Sequence, residues 1–209
     1  MLQVHHLNNS RSQRILWLLE ELALPYEVVA HERDPATMRA PASVKAVHPL
    51  GKLPVVLDGG LTIAESGAIV EYLLSRYGHG RLAPAPGTAE HVAYLQWLHF
   101  AEGSGMPLVV LLLYLGRMPG VPEPVTAAVR AQLADALAYA DGRLGASPYF
   151  AGAELSAADV QMTFFLQAAT VYLRSADQYL RVGEFLGEMT ARPAYQRAIE
   201  RGGPFELGR

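Results

Sequence analysis

The 209-residue chain contains no cysteine. That excludes disulfide frameworks, thiolate metal sites and any mechanism that attacks through a protein thiol. Charge is scarce as well, with 18% charged residues and 17 Lys+Arg against 20 Asp+Glu. A formal net charge of -3 leaves no basic excess to neutralise phosphates, so nucleic-acid binding driven by counterion release is not expected. The most apolar run, residues 106–116, is about half of the roughly 20 residues that span a bilayer and reads as a buried helix, so no membrane segment is expected. At the start, Met1 to Val4 lead into His5, His6 and Asn8, neither a basic leader nor an apolar signal, so the default expectation is a cytoplasmic protein. His-Glu-x-x-His, Gly-x-x-x-x-Gly-Lys-[Ser/Thr], Gly-x-Gly-x-x-Gly and Gly-x-Ser-x-Gly are all missing. His5 and His6 are neighbours in a strand and so face opposite ways, which makes them a poor metal pair; no metal is expected.

What the chain does have is 51% hydrophobic residues, enough for a sizeable core in one large domain or two small ones. Leu2, Val4 and His6 alternate as a strand does, and Ile15, Leu16, Leu18, Leu19 and Leu22 share one helix face. A second strand follows Pro25. Residues 54–57 and 61–64 flank Asp58-Gly59-Gly60 as a hairpin, and Ala68, Ile69, Tyr72 and Leu73 then recur at helical spacing. The order β-α-β, a weak segment, then β-β-α suits a small α/β domain over residues 1–80. Gly and Pro cluster in a linker at 81–88, and residues 89–209 read as an all-helical domain. Helices are expected near 89–117, 124–145, 156–172 and 178–190. The third of these starts at the Ser-x-x-Asp signal Ser156 to Asp159.

Four local features can carry chemistry. Asn8-Asn9-Ser10-Arg11-Ser12-Gln13 lies between strand and helix. Ser10 and Gln13 fit a capping box, so Ser10 or Ser12 can serve only to satisfy first-turn N–H groups; alternatively, a hydroxyl at a helix N-terminus can stabilise an anion. His48-Pro49-Leu50-Gly51-Lys52-Leu53-Pro54-Val55 places a lysine in a loop before a proline-led strand. Glu65-Ser66 opens a helix, either as a cap or as a carboxylate-binding start. Trp97, His99, Phe100, Glu102 and Tyr114 form a polar and aromatic set on a long helix, equally suited to core or interface.

In that order, a polar strand-end loop, Gly-Lys-Leu-Pro-Val, a Glu-Ser helix start, a Gly/Pro linker, a helical second half and the Ser156 to Asp159 start resemble a cytosolic glutathione S-transferase over essentially the whole chain. It is similar to bacterial members with serine or asparagine at the active site. The resemblance implies a thioredoxin-like N-terminal domain that binds glutathione, followed by an all-helical C-terminal domain. In that reading Ser10 or Asn9 activates the thiol and Arg11 adds positive potential. Leu53, before a cis Pro54, pairs its backbone with the cysteinyl part, Lys52 and His48 hold the glycine carboxylate, and Glu65 and Ser66 take the γ-glutamyl end. Glu102 and Tyr114 belong to the second-substrate pocket or reach the partner subunit of a homodimer. The implied activity is detoxifying attack of the glutathione thiolate on small hydrophobic electrophiles. Glutathione-dependent peroxidase or disulfide-bond reductase activity, or a non-catalytic binding or regulatory protein of the same fold, are the alternatives.

Overall fold

The computed structural model describes residues 1–175, 177–203 and 205. They form two compact units, one of Met1–Arg81 together with the segment from Thr190, the other of Leu82–Met189.

In the first unit, β1 (Leu2–Leu7), α1 (Ser12–Glu21) and β2 (Tyr26–His31) are followed by a 3-10 turn at Ala42–Ala46. The hairpin β3 (Val55–Asp58) and β4 (Leu61–Ala64) comes next, then α2 (Ser66–Leu73), which runs on through a π-helical turn. The sheet order is β2-β1-β3-β4, with β1 parallel to β2 and the other neighbours antiparallel. As an inner strand β1 is covered on both faces, so its alternating sequence gives nearly continuous burial. Burial of α1 is also wider than its leucine stripe: Trp17 and Arg14 are fully buried beside Ile15, Leu16, Leu18 and Leu19.

The cause is α8 (Pro193–Gly202), a helix beyond those expected from the sequence, which packs on α1. Trp17 meets the Tyr195 ring edge-on at 5.2 Å. Glu21 accepts from two guanidinium nitrogens of Arg192, Nε at 2.6 Å and Nη2 at 3.1 Å, and Glu20 accepts from Arg197 at 2.8 Å and Arg201 at 3.3 Å. The sequence places residues 89–209 in one helical domain; α8 departs from that by joining the first unit.

The second unit holds α3 (Ala89–Phe100), a π-helical turn at Ala101–Gly105, α4 (Met106–Leu115), α5 (Glu123–Leu144), α6 (Ala157–Leu173) and most of α7 (Leu180–Ala191). Val129, Leu133, Leu137 and Ala140 are the buried stripe of α5, as their spacing predicts. Around α6, Trp97 lies 4.7 Å from the Phe150 ring, and Phe150 lies 5.3 Å from Phe185. A Cβ at Gly105 would fall 2.6 Å from the Phe165 ring, so the π-helical turn needs glycine there. The start of α6 is held by Asp159, which accepts from the Ser156 N–H at 2.8 Å, the Ser156 hydroxyl at 2.9 Å and the Phe150 N–H at 2.8 Å.

The apolar run at 106–116 proves to be the end of a longer element. Ala89–Leu115 is one 27-residue helix, long and apolar enough by length and composition to cross a membrane.

Candidate functional site

Strand register explains why distant motifs meet. His5 pairs with Val55, and Val55 with Ala64. The loop after Leu7, the Leu53–Pro54 bond and Glu65–Ser66 therefore leave the same end of three adjacent strands, each about 4.8 Å from the next. The first turns of α1 and α2 begin at that end, where the positive ends of the helix dipoles favour an anion.

The β1–α1 loop is tightly fixed. Asn9 has φ 50°, a conformation that asparagine tolerates better than most residues. Arg33 donates to the carbonyls of Asn8 at 3.0 Å, Asn9 at 2.7 Å and Met38 at 2.8 Å, so it braces the loop from beyond β2. Arg11 is the N-cap residue of α1. The half-buried Ser10 accepts from the Ser12 N–H at 3.2 Å, and the two hydroxyls are 2.7 Å apart. Ser12 in turn lies 2.8 Å from His6 Nδ1, and His6 Nε2 lies 2.9 Å from the Gly202 carbonyl at the end of α8. Burial lowers the His6 pKa; the charge of His31 works in the same direction and the Gly202 bond against it. The capping box expected of Ser10 and Gln13 is not formed: Arg11 is the N-cap, and the Gln13 N–H bonds the Ser10 carbonyl at 3.1 Å rather than its hydroxyl. Ser10 still satisfies one first-turn N–H, so the capping reading and the anion reading apply to the same hydroxyl.

On the middle strand the Leu53–Pro54 peptide is cis, and Pro54 is buried. The loop before it turns through Gly51, whose φ of 59° favours glycine and whose N–H bonds the His48 carbonyl at 2.9 Å. This leaves His48 half-buried and Lys52 exposed. On the third strand Glu65 is the N-cap of α2 at φ 68°, with its side chain exposed, while Ser66 is buried in the first turn. Glu102 and Tyr114 lie in the second unit: Glu102 is half-buried in the π-helical turn, and Tyr114 is 46% exposed on α4. Among the described residues no group of three or more His, Cys, Asp or Glu could hold a metal.

A lysine on the loop before the middle strand, a hydroxyl beside a helix start on the first, and a carboxylate with a second helix start on the third form a row. They gather a cation, a hydroxyl, a carboxylate and two helix starts at one end of the sheet, groups that can pair with the carboxylates, the ammonium and a further polar group of one ligand. His6 and Arg33 have no motif that singles them out. His6 is brought to Gly202 across 196 positions and Arg33 to Asn9 across 24.

Two family profiles match the chain: glutathione S-transferase, N-terminal domain, at residues 10–76, and glutathione S-transferase, C-terminal domain, at residues 106–193. Glutathione S-transferase 3 of Schizosaccharomyces pombe is 36% identical over 96% of this chain and 88% of its own length. A glutathione S-transferase from Actinobacillus pleuropneumoniae superposes with a TM-score of 0.92 at 34% identity, covering 100% of this chain and 96% of the other. A sphingomonad glutathione S-transferase, solved in complex with glutathione, gives 0.81 at 25% identity over 96% and 98% of the two chains.

Proposed function

The chain belongs to the glutathione S-transferase family, and on that premise we propose that it binds glutathione along the sheet end of its first unit and activates the thiol for attack on small apolar electrophiles. The observation that carries this reading is the register His5–Val55–Ala64, which aligns the three motifs at one edge. The complex of the sphingomonad relative with glutathione supports it. Lys52 and His48 hold the glycine carboxylate, the Leu53 backbone pairs with the cysteinyl unit before Pro54, and Glu65 with Ser66 takes the γ-glutamyl end.

A cysteine-like thiol with a pKa near 8.5 is only a few per cent ionised at pH 7. Lowering it by about two units takes roughly 2.7 kcal/mol of preferential thiolate stabilisation. A hydroxyl donor and the positive end of α1 supply this jointly, with Ser10 as donor, Asn9 beside it and Arg11 adding positive potential. The cytoplasm, where glutathione is kept reduced, is the compartment this chemistry needs.

The protein acts as a homodimer in this reading. Helix Ala89–Leu115 is strongly apolar, yet only 33% of its most apolar window is buried, and Val92, Leu95, Leu111 and Tyr114 are exposed along it. A second copy covers part of that surface, with Glu102 directed to the partner's γ-glutamyl ammonium and Tyr114 lining the electrophile pocket.

Calorimetric titration with glutathione, followed by steady-state assays on a panel of aryl halides, enals, a hydroperoxide and a mixed disulfide, tests the function. Saturable binding with conjugation of at least one electrophile is expected. Turnover confined to the hydroperoxide or disulfide assigns the peroxidase or reductase alternative, binding without any turnover assigns a non-catalytic protein, and absence of binding overturns the reading altogether.

A further inference from the structure

Ser10 ends a run of hydrogen bonds whose direction can be worked out from the far end. The Gly202 carbonyl only accepts, so His6 Nε2, 2.9 Å away, carries a proton. Neutral His6 then has a bare Nδ1, which accepts the Ser12 hydroxyl proton at 2.8 Å. Ser12 has no second proton, so across the 2.7 Å contact between the hydroxyls it is Ser10 that donates. The Ser12 oxygen also accepts the Leu7 N–H at 3.1 Å, which fills its remaining lone pair; the Leu7 carbonyl at 3.2 Å is a longer second acceptor for the same hydroxyl proton, and the 2.8 Å contact to the bare Nδ1 is the shorter of the two. Ser10 takes the Ser12 N–H at 3.2 Å and keeps one lone pair open. Ser12 and His6 are 0% and 2% exposed, so solvent does not reach the inner members.

A serine that spends its proton on Ser12 cannot at the same time donate to a thiolate. We propose that Ser10, Ser12 and His6 conduct the proton off the glutathione thiol, with Ser12 and His6 as positioning residues that set the direction of the Ser10 hydroxyl. The inference rests on the β1–α1 loop being the thiol-activating element. In the step, the S–H bond breaks and its proton passes to Ser10 Oγ. The original Ser10 proton passes to Ser12 Oγ, and that of Ser12 to His6 Nδ1. Three bonds to hydrogen break and three form, nothing is oxidised or reduced, and one proton has moved from sulfur to imidazole. Every bond in the chain then points the other way: His6 donates to Ser12, Ser12 to Ser10, and Ser10 to the thiolate. The Gly202 carbonyl accepts from the imidazolium on its other nitrogen.

The surroundings fit an acceptor that starts neutral. Burial holds His6 below the ordinary imidazole value, and His31 on β2 acts in the same direction. From α1 it meets the Ser12 hydroxyl and from α8 the Gly202 carbonyl, both uncharged. The thiolate supplies the negative charge that favours the imidazolium once formed.

The test is a proton count. Glutathione is titrated into the full-length protein at pH 7 in weak buffer with an indicator dye, while thiolate is read from its ultraviolet difference absorbance. The expected result is a thiolate band with less than about half a proton released per thiolate, because His6 retains it. Release of one full proton per thiolate overturns the relay and leaves the activation reading standing. Glutathione bound without a thiolate band overturns the activation reading itself. In Ser12→Ala and His6→Gln, glutathione affinity is expected to stay within a few-fold. The thiol is expected to titrate about one unit higher, with a full proton released per thiolate. Variants that fold, by their melting curves, and keep the wild-type thiol pKa and proton count overturn the relay; the wild-type count needs no variant.

Discussion

Ser10 has one hydroxyl proton, and where it points decides what the residue does to a bound thiol. In Ser10→Ala the pKa of bound glutathione should rise, read from thiolate absorbance against pH, while affinity stays within a few-fold. Losing one charge-assisted hydrogen bond costs about 1.5 to 3 kcal/mol, so conjugation at neutral pH should fall roughly ten- to a hundred-fold. Glu65→Ala and Ser66→Ala should do the reverse, weakening affinity with the thiol pKa little changed. Asn9→Ala is the deciding control. If it reproduces the pKa shift and Ser10→Ala does not, Ser10 is only the group that satisfies the Ser12 N–H, and the activating donor is the Asn9 side chain. A second residue-scale expectation concerns Asp159, whose carboxyl burial pushes up to about 6 against three donated hydrogen bonds. Because its native pKa is raised, the folded state binds more protons than the unfolded one between about pH 4 and 6, and the stability it contributes falls as pH rises through that window. The melting-temperature margin of wild type over Asp159→Asn should therefore shrink from pH 4 to 6 and stay flat above; a margin that grows with pH would reverse the assignment.

Among the elements, α8 carries local helix signals, Pro193 at its start and Gly203 at its end, but nothing local announces that it docks on α1. Only Ala194, Tyr195 and Ala198 of it are buried, and its hold on α1 combines the Trp17–Tyr195 contact with arginines meeting Glu20 and Glu21. Burial would raise the Glu20 carboxyl, but bonds from Arg197, Tyr26 and Arg201 outweigh it and hold the group below its usual value. The stability this contributes is present above the ordinary glutamate pKa near 4.3 and is lost as pH falls through the native value. Glu20→Gln should cost about 1 to 2 kcal/mol at neutral pH, seen as a lower melting temperature, and the gap to wild type should close as pH falls below about 4. A gap independent of pH would show that the arginine contacts do not act through the carboxylate. By contrast, α5 and the β3–β4 hairpin were legible, since a repeat of three or four residues and an Asp-Gly-Gly turn are local signals. The site divides in the same way. Ser10, Pro54 and Ser66 sit in short motifs that gain meaning from their order, whereas His6 and Arg33 act through contacts that only the closed fold supplies.

For the whole molecule, the apolar helix Ala89–Leu115, with Val92, Leu95, Leu111 and Tyr114 exposed along it, is the observation behind the proposed dimer. Light scattering on a sizing column should give about twice the chain mass of 22.7 kDa at micromolar concentration. A mass of one chain, or co-flotation with lipid vesicles, would contradict the assignment of that surface to a second copy. The central claim, that the edge set by β1, β3 and β4 is where glutathione lies, is tested most directly by a crystal structure of the protein with glutathione. The expected density places the sulfur within hydrogen-bonding reach of Ser10 or Asn9, the cysteinyl backbone against Leu53, and the γ-glutamyl group at Glu65 and Ser66. Glutathione seated elsewhere on the molecule, or a crystal soaked at saturating concentration with this edge empty, would contradict it.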